Sequence, residues 1–295
     1  MHERIAGQLA RDVAPEVREF ARHLAQAPGA QAVLFYGSNL RTGSLEGVLD
    51  YYVLLDGEAE RGVWPRVSYH EREIAGHPLR AKVATMSMAK FTEAAAGELL
   101  DTTIWARFVQ PCALVWHAGS NGVEATSGAI TAASCTAARL AAVLGPQRGG
   151  EDDFWMALFE ATYRAEFRIE TASRARSILD LNRGHFAGLL PVALEAAGIP
   201  FEQIDDRIAP QIDQAERSRI RRWWARRRRM GKPINLLRLL RAARTFEGAS
   251  HYAAWKIERH TGVPVEITPF REKHPVLAAP GVMLSVWRKR KKVRQ

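Results

Sequence analysis

Apolar residues along the first part of the chain change their spacing from helical to extended. Val13, Val17, Phe20, Ala21 and Leu24 recur at helical intervals after Asp12. Pro15 stands in the first turn and Pro28-Gly29 supplies the stop, which predicts an amphipathic helix N-capped by Asp12. Short apolar runs at 32–36, 49–55, 79–86 and 112–116, bounded by turn residues, predict four strands, and the stretches 88–99 and 101–108 predict helices between the last two. Residues 1–120 therefore read as an α/β domain with a mixed sheet.

From residue 123 the pattern is helical almost throughout, over 123–144, 152–181, 184–197, 213–229, 233–244 and 249–261. Gly145 to Gly150, Ile199-Pro200 and Gly231 to Pro233 punctuate it. Two extended segments, 265–268 and 282–287, predict a small hairpin. The expectation is a mainly α-helical second domain over 121–286, followed by a basic tail over 287–295.

Composition changes this picture in only a few places. At 295 residues, 47% apolar and 25% charged, the chain has the make-up of a globular protein able to bury two modest cores. The charged N-terminus lacks the apolar run of a secretory signal, and the apolar stretches 122–144 and 188–200 are interrupted by charge or proline, so no spanning helix is expected. The expected location is cytoplasmic, with peripheral membrane association. Cys112 and Cys135 sit among apolar or small residues and read as reduced thiols.

The net charge of +10 is concentrated in two patches. Residues 217–229 hold eight Arg and residues 287–295 hold six basic residues, neither segment contains an acid, and without them the rest of the chain stands at −4. Trp223, Trp224 and Trp287 lie beside the charges. Such a pairing suits an anionic membrane surface, or nucleic acid as the less favoured partner; a solvated helix face and a plain tail are the alternatives.

Residues 32–56 carry the candidate chemistry. A strand runs into Tyr36-Gly37-Ser38, and a second strand opens on Asp50. Backbone N–H groups at a tight Gly-Ser turn can hold phosphates, and a carboxylate on the neighbouring strand can hold Mg²⁺ against them. Gly-Ser is also ordinary turn chemistry and an Asp at a strand end is also a cap, so this segment alone leaves both readings open. His70 and His77, with Glu71 and Glu73 in an expected loop, lack the spacing of a zinc helix, and neither a P-loop nor a dinucleotide fingerprint occurs.

Taken in order, several motifs resemble the mitochondrial-type phosphatidate cytidylyltransferase family, also known for translocator assembly and maintenance. They are Tyr36-Gly37-Ser38, Asp50-Tyr51-Tyr52-Val53, Pro65-Arg66-Val67-Ser68-Tyr69, Leu79-Arg80-Ala81-Lys82-Val83, the segment from Trp105 through Arg107 to Pro111, Thr162-Tyr163-Arg164-Ala165-Glu166-Phe167-Arg168, and Tyr252 with Lys256. The resemblance implies a nucleotidyltransferase-like domain followed by a helical domain. It also implies transfer of a cytidylyl group from CTP to phosphatidic acid or another anionic lipid phosphate, with Mg²⁺ as cofactor.

By the same resemblance Asp50 and Lys82 are the catalytic residues, and Tyr36, Gly37, Ser38, Arg107, Tyr163 and Arg168 bind the nucleotide. Related nucleotidyltransferases place a second carboxylate two residues after the first, where this chain has Tyr52; Asp56 or Glu166 is then expected to join Asp50 at the metal. Glu166 and Arg168, two residues apart, cannot share one helix face. Two alternatives stay open: a soluble sugar or polyol phosphate or an RNA end as acceptor, and a degenerate nucleotide-binding membrane adaptor.

Overall fold

The computed structural model describes residues 1–62, 65–165, 172–245, 249–273, 281 and 285. Helices α1 (His2–Leu9) and α2 (Pro15–Leu24) lead into strand β1 (Ala30–Tyr36), and the short helix α3 (Ser38–Thr42) joins it to β2 (Leu49–Leu55). A hairpin of β3 (Arg66–Ile74) and β4 (His77–Ser87) comes next, then helices α4 (Met88–Ala95) and α5 (Thr103–Phe108), and β5 (Cys112–His117). The five strands form one mixed sheet in the order β3-β4-β2-β1-β5, in which only the β2–β4 pair is parallel.

The remainder is mainly helical: α6 (Ser120–Leu144), α7 (Glu151–Ala165), α8 (Ala172–Leu181), α9 (Arg183–Phe186), α10 (Leu189–Ala196), a hairpin of β6 (Phe201–Ile204) and β7 (Arg207–Pro210), α11 (Gln214–Thr245), α12 (Ala249–Thr261) and α13 (Pro269–Lys273). An α/β region followed by a helical one is therefore what the chain forms.

Both faces of the central strands are covered, which explains why β1 and β2 read as continuous apolar runs. Val33, Phe35, Leu49, Tyr51 and Val53 face α2 and pack with Val17 and Phe20, and Tyr51 Oη donates to the Val17 carbonyl at 3.1 Å. Leu34, Tyr52 and Leu54 face the other way, into a larger core with Phe91, Trp105 and Phe108 that continues without a break through α6 and α7 to Trp224 of α11. Helix α6 is long and apolar enough to cross a bilayer by length and composition, but 67% of its most apolar window is buried inside the molecule, where it serves as the central core helix.

Several expectations are corrected. The stretch from His70 to His77, expected as loop, belongs to the β3–β4 hairpin: His70, Glu71 and Glu73 lie on the edge strand β3 and His77 opens β4, and the alternation of β3 is masked by charges that suit an exposed edge. The β3–β4 turn places Ala75 and Gly76 both at positive φ, a two-residue turn without the Asn-Gly or Asp-Gly signature. Residues 265–268 form no strand, their expected partner at 282–287 lies outside the described residues apart from Ser285, and the small hairpin is instead β6–β7. Helix α2 begins at Pro15 with Ala14 as its N-cap, not Asp12.

The expected break at Gly231 to Pro233 does not occur either. Helix α11 runs through Pro233, and a Cβ on Gly231 would lie 2.4 Å from the Ala165 carbonyl oxygen. Gly231 is there for close passage against the end of α7, and packing against α6 and α7 carries the helix past a proline that removes one hydrogen bond.

A candidate phosphate-binding cleft

Cross-strand register builds the candidate site. Asp50 pairs with Tyr36 on β1 and with Lys82 on β4, and Lys82 pairs in turn with Tyr69 on β3. Paired residues project to the same sheet face, so Tyr36, Asp50, Lys82 and Tyr69 form a row across four strands. The chain leaves β1 through Gly37, at φ +92°, and turns directly over Asp50: a Cβ at position 37 would stand 2.9 Å from Asp50 Oδ2. Only glycine combines that backbone angle with that approach.

Tyr36, Ser38, Arg41, Asp50, Lys82 and Arg107 line one cleft of about 310 Å³. Helix α5 contributes Thr103 and Arg107, and α7 closes the far side with Thr162 and Tyr163. Arg107 is held in place from below: its Nη1 donates to Tyr52 Oη at 3.1 Å, and its guanidinium lies 5.2 Å from the centre of the Tyr36 ring and 5.9 Å from that of Tyr52.

Burial raises the Asp50 carboxyl above the ordinary carboxylate range, while Lys82 first and Arg107 second oppose the rise by favouring the charged form. Burial likewise raises the Tyr36 and Tyr52 hydroxyls, so both are neutral in the physiological range and Tyr52 receives the Arg107 hydrogen bond as an uncharged group. A carboxylate beside two cations at a partly buried strand end is a site poised for anionic groups and a bridging cation.

No protein-family model matches this chain, and no curated protein does.

Among the nominated residues, Tyr36, Gly37, Ser38, Asp50, Lys82, Arg107 and Tyr163 all line the cleft. Asp56 does not: it follows the opposite end of β2, exposed to solvent, where its Oδ1 accepts from Gly57 N and its own N–H donates to the Gly29 carbonyl. Six residues of extended chain separate the two carboxylates by about 20 Å, so they cannot share one ion. Glu166 and Arg168 lie outside the described residues. The position expected for a second carboxylate holds Tyr52, 1% exposed, whose hydroxyl anchors Arg107.

Tyr252 and Lys256 sit on α12, away from the cleft. The Tyr252 ring is 5.4 Å from that of Tyr69, so two matched motifs meet at the β3 edge of the row that begins at Tyr36.

Among the described residues no group of three His, Cys, Asp or Glu could cage a metal, and Asp50 is the one carboxylate lining the cleft. That donor set fits Mg²⁺, which keeps several waters and uses one or two carboxylates together with substrate phosphates.

Sequence reasoning missed Arg41, Thr103 and Thr162. Arg41 had a visible signal, one helical turn after Ser38 on the same short segment, and Thr162 stands beside Tyr163 in a matched motif, whereas Thr103 arrives only through packing of α5. The basic patch also needs correction in one respect: Trp223 and Trp224 turn inward. Trp224 is 5% exposed, and Trp223 packs against Trp105 and donates Nε1–H to the Gly97 carbonyl at 3.0 Å. Arg227 is buried as well, bonded to the same carbonyl, and burial lowers its pKa to about 10. The outer face of α11 shows Arg221, Arg222, Arg226, Arg228, Arg229 and Lys232 with the exposed apolar residues Met230, Leu236 and Leu237. Trp287 and the basic tail lie outside the described residues.

Proposed function

We propose that this chain is a Mg²⁺-dependent nucleotidyltransferase with a nucleotidyltransferase-like N-terminal region, and that it transfers a cytidylyl group from CTP to phosphatidic acid. The observation that carries the reaction class is the seating of Asp50 against Gly37, with Lys82 and Arg107 beside it in one cleft. The choice of CTP and of a lipid phosphate rests on the motif resemblance.

In this reading a phosphate oxygen of the acceptor forms a bond to the α-phosphorus of CTP while the α–β bridging P–O bond breaks, giving CDP-diacylglycerol and pyrophosphate. Such a displacement depends on in-line placement and charge neutralisation more than on covalent help. Asp50 would hold the ion, whose contribution is to neutralise and orient the phosphates. Ser38 and Arg41, at the turn and one helical turn on, bind the β- and γ-phosphates. Lys82 and Arg107, the latter fixed by Tyr52, bind the triphosphate and offset charge developing on the leaving pyrophosphate. Tyr163 closes the wall that excludes water.

The exposed Arg and Leu face of α11 is the means of attachment to an anionic bilayer, where each surface Lys or Arg contributes about 1 kcal/mol. An RNA end is the competing acceptor, because the same face would attract a phosphate backbone.

The test incubates purified protein with each labelled NTP, Mg²⁺ and vesicles of phosphatidic acid, and scores lipid-soluble label. Label from CTP in the lipid phase supports the full reading. Label on a soluble phosphate or an RNA end keeps the reaction class and replaces the acceptor, and no transfer to any acceptor together with intact CTP binding favours the adaptor.

A further inference from the structure

Arg238 of α11 reaches Thr103, a cleft-lining residue of α5, from the helical region. One guanidinium nitrogen lies 2.7 Å from Asp101 Oδ1, and the other donates to Thr103 Oγ1 at 2.7 Å. Thr103 Oγ1 donates onward to Asp101 Oδ1 at 2.8 Å, which closes a three-membered network. The network is largely withdrawn from water, with the Asp101 side chain 7% exposed and that of Arg238 20% exposed.

Its location matters more than its strength. Thr103 is the first residue of α5 and lines the cleft, and Arg107 follows four residues later on the same helix face. Helix α5 has six residues and no side-chain cap from Thr102, and so short a helix takes its geometry from what packs on it. Its apolar residues pack on α4 and α6, and Arg238 adds a polar hold on its first turn. The charges of Arg238 and Asp101 also reach the Tyr52 hydroxyl, the acceptor that orients Arg107.

A stability role accounts poorly for this network. Asp101 Oδ2 and Arg238 Nε are buried without hydrogen-bond partners, and a buried ion pair with open valences adds little net stability over apolar packing. What it does supply is a fixed register between α11 and α5.

We propose that Arg238 is a positioning residue: through Asp101 and Thr103 it sets α5 so that Arg107 is presented to the bound phosphates. The inference rests on the cleft being a triphosphate site. It also assigns the helical region a part in the site that a surface-docking helix would not need.

The experiment is a double-mutant cycle read by calorimetric titration of Mg·CTP into the full chain. Arg238→Gln is expected to weaken CTP binding about tenfold when Arg107 is present and less than about twofold in the Arg107→Ala background, the non-additivity expected of residues acting through one another. Thr103→Val, which leaves the Arg238–Asp101 pair in place and cuts its link to α5, should show the same dependence on Arg107. It covers the case in which Arg238→Gln fails to fold. Arg238→Lys, which keeps the charge but loses the two-pronged geometry, should recover only part of the affinity.

Equal losses in both backgrounds, or no loss in either, would overturn the positioning role while leaving the cleft reading standing. If the wild-type chain binds no CTP and Arg107→Ala changes nothing, the cleft reading itself falls and takes this inference with it.

Discussion

At one end of β2, Asp50 stands partly buried under Gly37 with Lys82 and Arg107 around it; just past the other end, Asp56 lies in solvent and accepts a hydrogen bond from the next backbone N–H. The residue type and the strand are the same, and the chemistry differs. The turn from β1 passes over the first end, the parallel neighbour β4 places Lys82 beside it, and α5 lowers Arg107 onto it. Among the described residues nothing comparable reaches Asp56, whose role is that of a turn cap. A strand-end carboxylate becomes a site only when topology brings cations and a close backbone to it.

The sharpest test of this contrast is Asp50→Asn, which keeps the volume and removes the charge. Nucleotidyl transfer should fall by about 10²–10³, the range seen when a preorganised electrostatic group is lost, with an unchanged far-UV spectrum. Transfer within a few-fold of wild type would put the chemistry elsewhere. Gly37→Ala comes next. Its positive φ and the approach to Asp50 Oδ2 predict a loss of about 1–3 kcal/mol in thermal or urea unfolding, together with loss of transfer as the carboxylate is displaced.

Lys82→Met sharpens the electrostatic half of the comparison. Of the two cations that hold the Asp50 carboxyl down against burial, Lys82 has the larger effect. Without it that pKa rises further, the ionised form is lost at higher pH, and the acid limb of the transfer profile should move upward in pH. An unmoved limb would mean that Lys82 does not face Asp50 in solution. The smallest effect belongs to Asp56→Asn, which keeps the oxygen that Gly57 N uses; stability should stay within about 0.5 kcal/mol of wild type and transfer should be unchanged.

Much of the sheet was legible because burial on both faces writes β1 and β2 as uninterrupted apolar runs between turn residues. The turn at Gly37 and the carboxylate at Asp50 stood out for a related reason: a glycine, a serine and an acid interrupting such runs need an account. Strand β3 was hidden by the charges that protect an exposed edge, and Pro233 gave a false stop because local propensity carries no information about the helices packed alongside. Trp223 and Trp224 read as surface anchors from their arginine neighbours, although a helix turns its successive residues to different sides and their side belongs to the core.

By itself the sequence determined the α/β-then-helical order, the Gly37-Ser38 turn and the concentration of positive charge, since each depends on residues close together in the chain. Which charges meet was decided only by the tertiary structure. The pairing of Asp50 with Lys82 requires a parallel register between strands more than twenty-five residues apart, the seating of Arg107 requires Tyr52 in place of an expected acid, and the hold on α5 comes from Arg238, 135 positions after Thr103. Such contacts depend on packing geometry between distant segments, which no local spacing of residue types records.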